Sequence, residues 1–134
     1  MMFVVLCAEN PMRSRRVACA RMRAGEDTYA ACGHLQPPRI ERLPGWQGRY
    51  FHSQSMTFAH YDFVRGSSIH EHFHRQEEVY EVIEGELELT IEGVAQIVRP
   101  GLDAIVPAGV RHSVKALTDG RAIIVDYPLR PDFH

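Results

Sequence analysis

The chain has 134 residues, of which 45% are hydrophobic and 24% charged, and its formal net charge is −2. A chain of this length removes roughly two-thirds of its unfolded surface from water, so it can hold a core without disulfides or structural metal, and the composition excludes a mainly disordered or fibrous chain. No stretch approaches the roughly 20 apolar residues of a membrane span, and no net basic field points to nucleic acid.

Residues 1–38 form the first segment. Residues 1–40 carry six arginines against Glu9, Glu26 and Asp27, a net +3, whereas residues 41–134 carry nine basic and fourteen acidic groups, a net −5. The segment lacks clean periodicity and is expected to be a poorly ordered N-terminal extension or the product of an early start, with Met12 and Met22 as alternative starts. Its Arg-rich, acid-poor run 13–23 also has the composition of a transit peptide or of a basic partner-binding helix. Cys7, Cys19 and Cys32 are odd in number and dispersed, which reads as reduced thiols of a cytoplasmic protein. Pro37 and Pro38 close the segment.

From residue 39 to 134 short alternating runs are separated by Gly, Pro and Asp, the pattern of an all-β sandwich or barrel. Strands are expected at 49–51, 55–64, 86–92, 95–98, 103–106, 112–116 and 122–127. In 86–92 (ELELTIE), Leu87, Leu89 and Ile91 face one way and the polar residues the other, as in an antiparallel strand with one wet face. Trp46 lies in a Pro-Gly-rich stretch and is expected in a loop, as a lid or a dimer plug.

The unusual feature is the histidine content: eight in all, three of them within residues 70–74. Alternation puts His72 and His74 on one face of an extended strand, one pleat repeat apart, and Glu78 follows at a distance that allows a short bend. Two His plus a carboxylate is a recurring transition-metal arrangement. A second segment, residues 101–112, brings His112 just after a turn made by Pro107 and Gly109. Three imidazoles and one carboxylate favour one divalent transition metal, Fe, Mn, Ni, Zn, Co or Cu, over Ca or Mg.

These residues resemble the two motifs of the cupin superfamily, and the chain is similar to its small single-domain bacterial-type, RmlC-like members. The first motif, G-x5-H-x-H-x3-E-x6-G, is met by Gly66, His72, His74, Glu78 and Gly85; the second, G-x5-P-x-G-x2-H-x3-N, by Gly101, Pro107, Gly109 and His112, with Ala116 in place of the closing Asn. The resemblance implies a double-stranded β-helix, or jelly-roll barrel. Its metal would be held by His72, His74, Glu78 and His112, a small molecule would serve as substrate or ligand, and the assembly would be a homodimer, formed by exchanged or paired edge strands. It further implies a metal-dependent enzyme of the oxygenase, isomerase or lyase kind; a non-catalytic sensor or binding module is the alternative. A storage-like structural role suits a lone short domain poorly.

Three residues are candidate catalytic groups. Tyr80 shares parity with Glu78 and is expected to line the cavity as a hydrogen-bond donor, beside Val82. His70 shares strand parity with His72, although relatives commonly carry proline at this position, which implies a bend. His60 shares a parity with Phe58, Asp62 and Val64 and reaches the cavity if that set faces inward. Glu77 and Glu81 are expected to face outward, Phe73 to pack against the second sheet, and Arg111 to sit near the barrel mouth, where it could meet an anionic substrate.

Overall fold

The computed structural model of the protein describes residues 19–24, 27–32 and 38–133. Every regular element among them is a strand, and no helix of the described residues is long and apolar enough to cross a membrane. The chain divides into two compact units, Met1–Pro37 and Pro38–His134.

In the first unit, β1 (Cys19–Ala24) and β2 (Asp27–Cys32) pair antiparallel, with Cys19 opposite Cys32 and Ala24 opposite Asp27. Alternation does not announce these strands, because residues 19–24 interleave arginines with small and sulfur-bearing side chains. The rest of the expected N-terminal extension lies outside the described residues.

The second unit contains β3 (Ile40–Leu43), β4 (Trp46–His52), β5 (Thr57–Phe63), β6 (Ser68–His72), β7 (Glu77–Glu84), β8 (Leu87–Ile91), β9 (Val94–Val98), β10 (Asp103–Val106), β11 (His112–Ala116) and β12 (Gly120–Tyr127). They form two antiparallel sheets, a six-stranded one in the order β10-β7-β12-β5-β4-β3 and a four-stranded one in the order β6-β11-β8-β9. This is the jelly-roll arrangement: the two inner faces bury alternate residues of each strand against one another. Leu87 and Leu89 of β8 are fully buried, as the ELELTIE pattern requires, and meet Val82, Ala122, Ile124 and Val114 in one core.

Trp46 is 0% exposed and opens β4, which corrects the loop expectation. Gly45, at φ 81°, makes the tight turn from β3, and a Cβ there would lie 2.6 Å from Ser67 Cβ. The indole then packs on Tyr61 and Phe63 at ring-centroid distances of 5.6 and 5.3 Å.

The β6–β11 pairing contains a bulge that sets the site. His72 lies opposite His112 and Ile69 opposite Val114, so His70 and Glu71 together face the single residue Ser113. Ile69 and His72 are three apart and would project to opposite faces of a regular strand. The extra residue resets the alternation, so both turn inward while His70 and Glu71 are exposed.

Candidate metal centre

Each of the four motif residues reaches one region from a different local structure. His72 ends β6, His74 lies in the bend that follows, Glu78 is the second residue of β7, and His112 opens β11. A hydrogen bond ties the two motifs together, because the Gly109 N–H donates to the His74 carbonyl at 2.7 Å. Gly109 has φ 77°, a conformation suited to glycine in the turn before His112.

One ligand atom from each of His72, His74, Glu78 and His112 lies within 4.8 Å of all the others. Glu78 and His112 are buried, and the two other histidines are half-buried. The imidazole of His112 is the hub, with ring centroids 4.2 Å from His72 and 5.1 Å from His74.

The main chain fixes how these rings are turned. Nδ1 of His72 is 2.8 Å from the His70 carbonyl, Nδ1 of His74 is 3.1 Å from the Gln76 carbonyl, and Nδ1 of His112 is 2.9 Å from the Val110 carbonyl. A carbonyl can only accept, so all three Nδ1 atoms carry the hydrogen, and the neutral ring then has its lone pair on Nε2. Partners of this kind orient metal-ligating histidines.

Two of those Nε2 atoms point at a carboxylate. His74 Nε2 lies 3.2 Å and His112 Nε2 2.9 Å from the same oxygen, Glu78 Oε2. With Nδ1 already donating, each ring can hydrogen-bond Glu78 only as an imidazolium; otherwise lone pairs confront one another. The buried Nε2 of His112 has no well-aligned hydrogen bond despite its short distance. A cation among these atoms would replace the missing protons, so the donor set fits a divalent transition metal.

The electrostatics without metal carry the same message. Burial works to raise the Glu78 carboxyl, but the close approach of the His112 and His74 imidazoles outweighs it and holds the group at about 2. Burial works to lower His112, yet Glu78 and the Val110 carbonyl carry it above its ordinary value. His72, lacking such a close partner, is lowered by burial.

Tyr80 is 1% exposed on the inner face of β7. Burial first, then the charge and hydrogen bonding of Glu78, keep its phenol well above the usual range, so it remains a donor. Val82 is likewise buried, and Glu77 and Glu81 face outward. His60 is a correction. In β5 it is Thr57, Ala59 and Phe63 that turn inward, and His60 stands exposed on the other side of the sheet. His70 is a second one, because the bulge leaves its side chain at the rim, 6.1 Å in ring-centroid distance from His72, and its carbonyl is what serves the site. Phe73 does not pack against the second sheet. It is 60% exposed with the Arg111 guanidinium 5.3 Å above its ring, and Arg111 also lies 3.6 Å from Glu71.

One group escaped the sequence reading. Asp126 is 0% exposed and lies directly opposite Glu78 across the β12–β7 ladder. Burial and the Glu78 charge raise its carboxyl to about 7 despite Arg130, whose Nη1 is 3.5 Å from Oδ1. Its Oδ2 has no hydrogen-bond partner. Arg130 sits in a C-terminal strap that β4 and β5 hold. The Arg130 N–H donates to Thr57 Oγ1 at 2.9 Å, and His52 Nε2–H to the Phe133 carbonyl at 2.6 Å. Alternation could have found Asp126, since it shares parity with the inward Ala122 and Ile124.

The comparisons agree with this architecture. The cupin domain model matches residues 59–128, more than half of the chain, and the chain belongs to the cupin family. Among solved structures it is similar to an RmlC-like cupin from Shewanella frigidimarina, with a TM-score of 0.70 and 25% identity over 76% of this chain and 93% of that one. It is also similar to KdgF from Halomonas sp., with a TM-score of 0.70 and 24% identity over 75% and 94% of the two chains. Salicylate 1,2-dioxygenase from Pseudoaminobacter salicylatoxidans shares the fold at a TM-score of 0.61 and 16% identity, over 67% of this chain and 26% of that one. No curated protein matches the chain.

Proposed function

We propose that the protein binds one divalent transition metal through Nε2 of His72, His74 and His112 and a carboxylate oxygen of Glu78, and that it is an enzyme acting on a small organic molecule. The observation that carries this reading is the set of three Nδ1–carbonyl bonds, which leaves Nε2 as the free ligand atom of each ring, two of them within 3.2 Å of one buried carboxylate oxygen. Bound there, the metal would supply Lewis-acid polarisation of a substrate oxygen.

The protein's own groups favour proton-transfer chemistry, of the isomerase or lyase kind. Asp126 stands beside Glu78 with Oδ2 free, where it can take a proton from a substrate carbon or return one. The Tyr80 hydroxyl donates and orients. A dioxygenase among the structures that share the fold supports oxygenation as the second reading, and a binding module without turnover is the third. The metal site lies wholly in the second unit, and we read residues 1–38 as an extension it does not require. The dispersed cysteines support a cytoplasmic location.

Elemental analysis of protein purified without added metal tests the first claim, with close to one first-row transition metal per chain expected. Iron- and zinc-loaded protein then separate the chemistries. Turnover of a hydroxy- or keto-acid by the zinc form without dioxygen uptake supports the proton-transfer reading. Dioxygen consumption by the iron form alone, with a catechol or β-diketone, supports the oxygenase.

A further inference from the structure

The outer face of the six-stranded sheet holds a concavity of about 210 Å³ that the metal site does not use. Three arginines line it from three places in the chain: Arg39 just before β3, Arg49 on β4 and Arg121 on β12. Asp62 of β5 is the one carboxylate among the lining residues. It stands opposite Arg121 in the β12–β5 ladder, yet its Oδ2 lies 3.1 Å from Arg39 Nη2. Arg49 and Arg121 are left over. Among the described residues neither has a carboxylate within ion-pair distance.

Arg49 carries a second, independent signal. Its Nε is buried from water and has no hydrogen-bond partner in the protein. A guanidinium only donates and cannot shed its charge. Folded proteins pair nearly all such buried groups, so an exception asks for an acceptor from elsewhere.

We propose that this concavity binds a small organic phosphate, with Arg49 and Arg121 as its anchors. The phosphoryl oxygens supply the acceptor that Arg49 Nε lacks, and guanidinium forks match phosphate oxygens in charge-assisted pairs. Three guanidiniums against one carboxylate leave two positive charges on the lining, the complement of a phosphate monoester of roughly −1.5 to −2 at pH 7. Asp62 pairs with Arg39 and holds that side chain at the edge of the concavity. The organic part finds apolar contact beside the charged end, because Ile123 and the 40% exposed Ile83 also line the concavity. Ala122 and Ile124 of the same strand turn into the core, so the sheet separates this ligand from the metal ligands within the barrel. The site does not rest on the proposed chemistry there.

Equilibrium dialysis of the full-length protein against phenyl phosphate tests the proposal. One site per chain is expected, and it should persist after the metal is removed by chelation. Arg49→Gln and Arg121→Gln should each weaken binding by about tenfold or more, as loss of a hydrogen-bonded charge implies, with metal content and far-ultraviolet circular dichroism retained. Arg99→Gln removes the same charge just after β9, in the other sheet, and should leave binding unaltered. Inorganic phosphate should bind more weakly than phenyl phosphate, because it leaves the isoleucines uncovered. Four results would each overturn the proposal. They are no binding of phenyl phosphate at millimolar concentration, binding that disappears with the metal, equal losses in Arg49→Gln and Arg99→Gln, and equal affinity for inorganic phosphate.

Discussion

The two faces of the six-stranded sheet are built from the same strands and differ by one residue in phase. Inward, β7 and β12 present Glu78, Tyr80, Val82 and Ala122, Ile124, Asp126; outward, the same strands present Val79, Glu81 and Ile123, Val125. The inner face buries ionisable groups and makes each depend on its neighbour, since Glu78 is lowered and Asp126 raised within one cross-strand pair. The outer face spreads its charges along a row where water screens them. Burial thus turns adjacent carboxylates into chemically different groups on one side, while on the other position alone gives them meaning. A substitution should act on metal and pH behaviour from inside, and leave both unaltered from outside.

The sharpest break of that contrast is removal of an inner ligand. Glu78→Ala or His112→Ala should weaken metal binding by at least the ~100-fold that loss of an outer-shell partner can reach, read by elemental analysis and by metal titration. Unaltered metal content in both variants would abolish the assignment. Binding in the wild type should weaken as pH falls, with release of protons on metal uptake measurable in buffers of different ionisation enthalpy, because His112 holds its proton above its ordinary pKa.

Asp126 gives the next effect. The metal-free folded protein keeps this proton to about pH 7, whereas an unfolded Asp loses it near 4. The folded state binds more protons in that window, so the Asp126 contribution makes stability fall as pH rises from about 4 to about 7. At about 1.4 kcal/mol per pKa unit the limit is about 4 kcal/mol. Asp126→Asn should remove this slope, and its stability relative to the wild type should improve from pH 5 to pH 8 in chemical denaturation. A parallel pH dependence in both proteins would contradict the assignment.

Tyr80→Phe should change less. It removes one hydroxyl and keeps the ring, so metal content should persist and the stability change should stay near 1 kcal/mol; a large loss of metal would show that the hydroxyl positions Glu78. The smallest effect is expected from His60→Ala, which lies on the outer face. Metal content should be unaltered, and a loss there would overturn the separation of the two faces.

The sequence made the metal centre legible because its ligands are fixed by short spacings: 72, 74 and 78 lie within one bend, and the Pro107–Gly109 turn announces His112. It made β8 legible because Leu87, Leu89 and Ile91 alternate with polar residues. β5 was not legible. Thr57, Ala59, Tyr61 and Phe63 are as mixed as Phe58, His60 and Asp62, so polarity alone cannot choose the inward set, and neighbouring strands decide it. Asp126 was hidden by its apolar surroundings in 122–127, and Trp46 by the adjacent proline and glycine, which turn the chain into a strand at once. His70 shows a further limit, since a bulge is a property of two paired strands and neither sequence announces it alone.

That bulge makes the length of β6 forgiving. Because His70 and Glu71 together oppose Ser113, removal of either residue leaves Ile69 and His72 two positions apart, and ordinary alternation keeps both on the inner face. The coordinating set survives such a deletion, and what is lost is one exposed side chain beside the metal ligands. Surplus length in this stretch thus lets the surface near the site vary at no cost to the ligands, a kind of variation that no scan of substitutions samples.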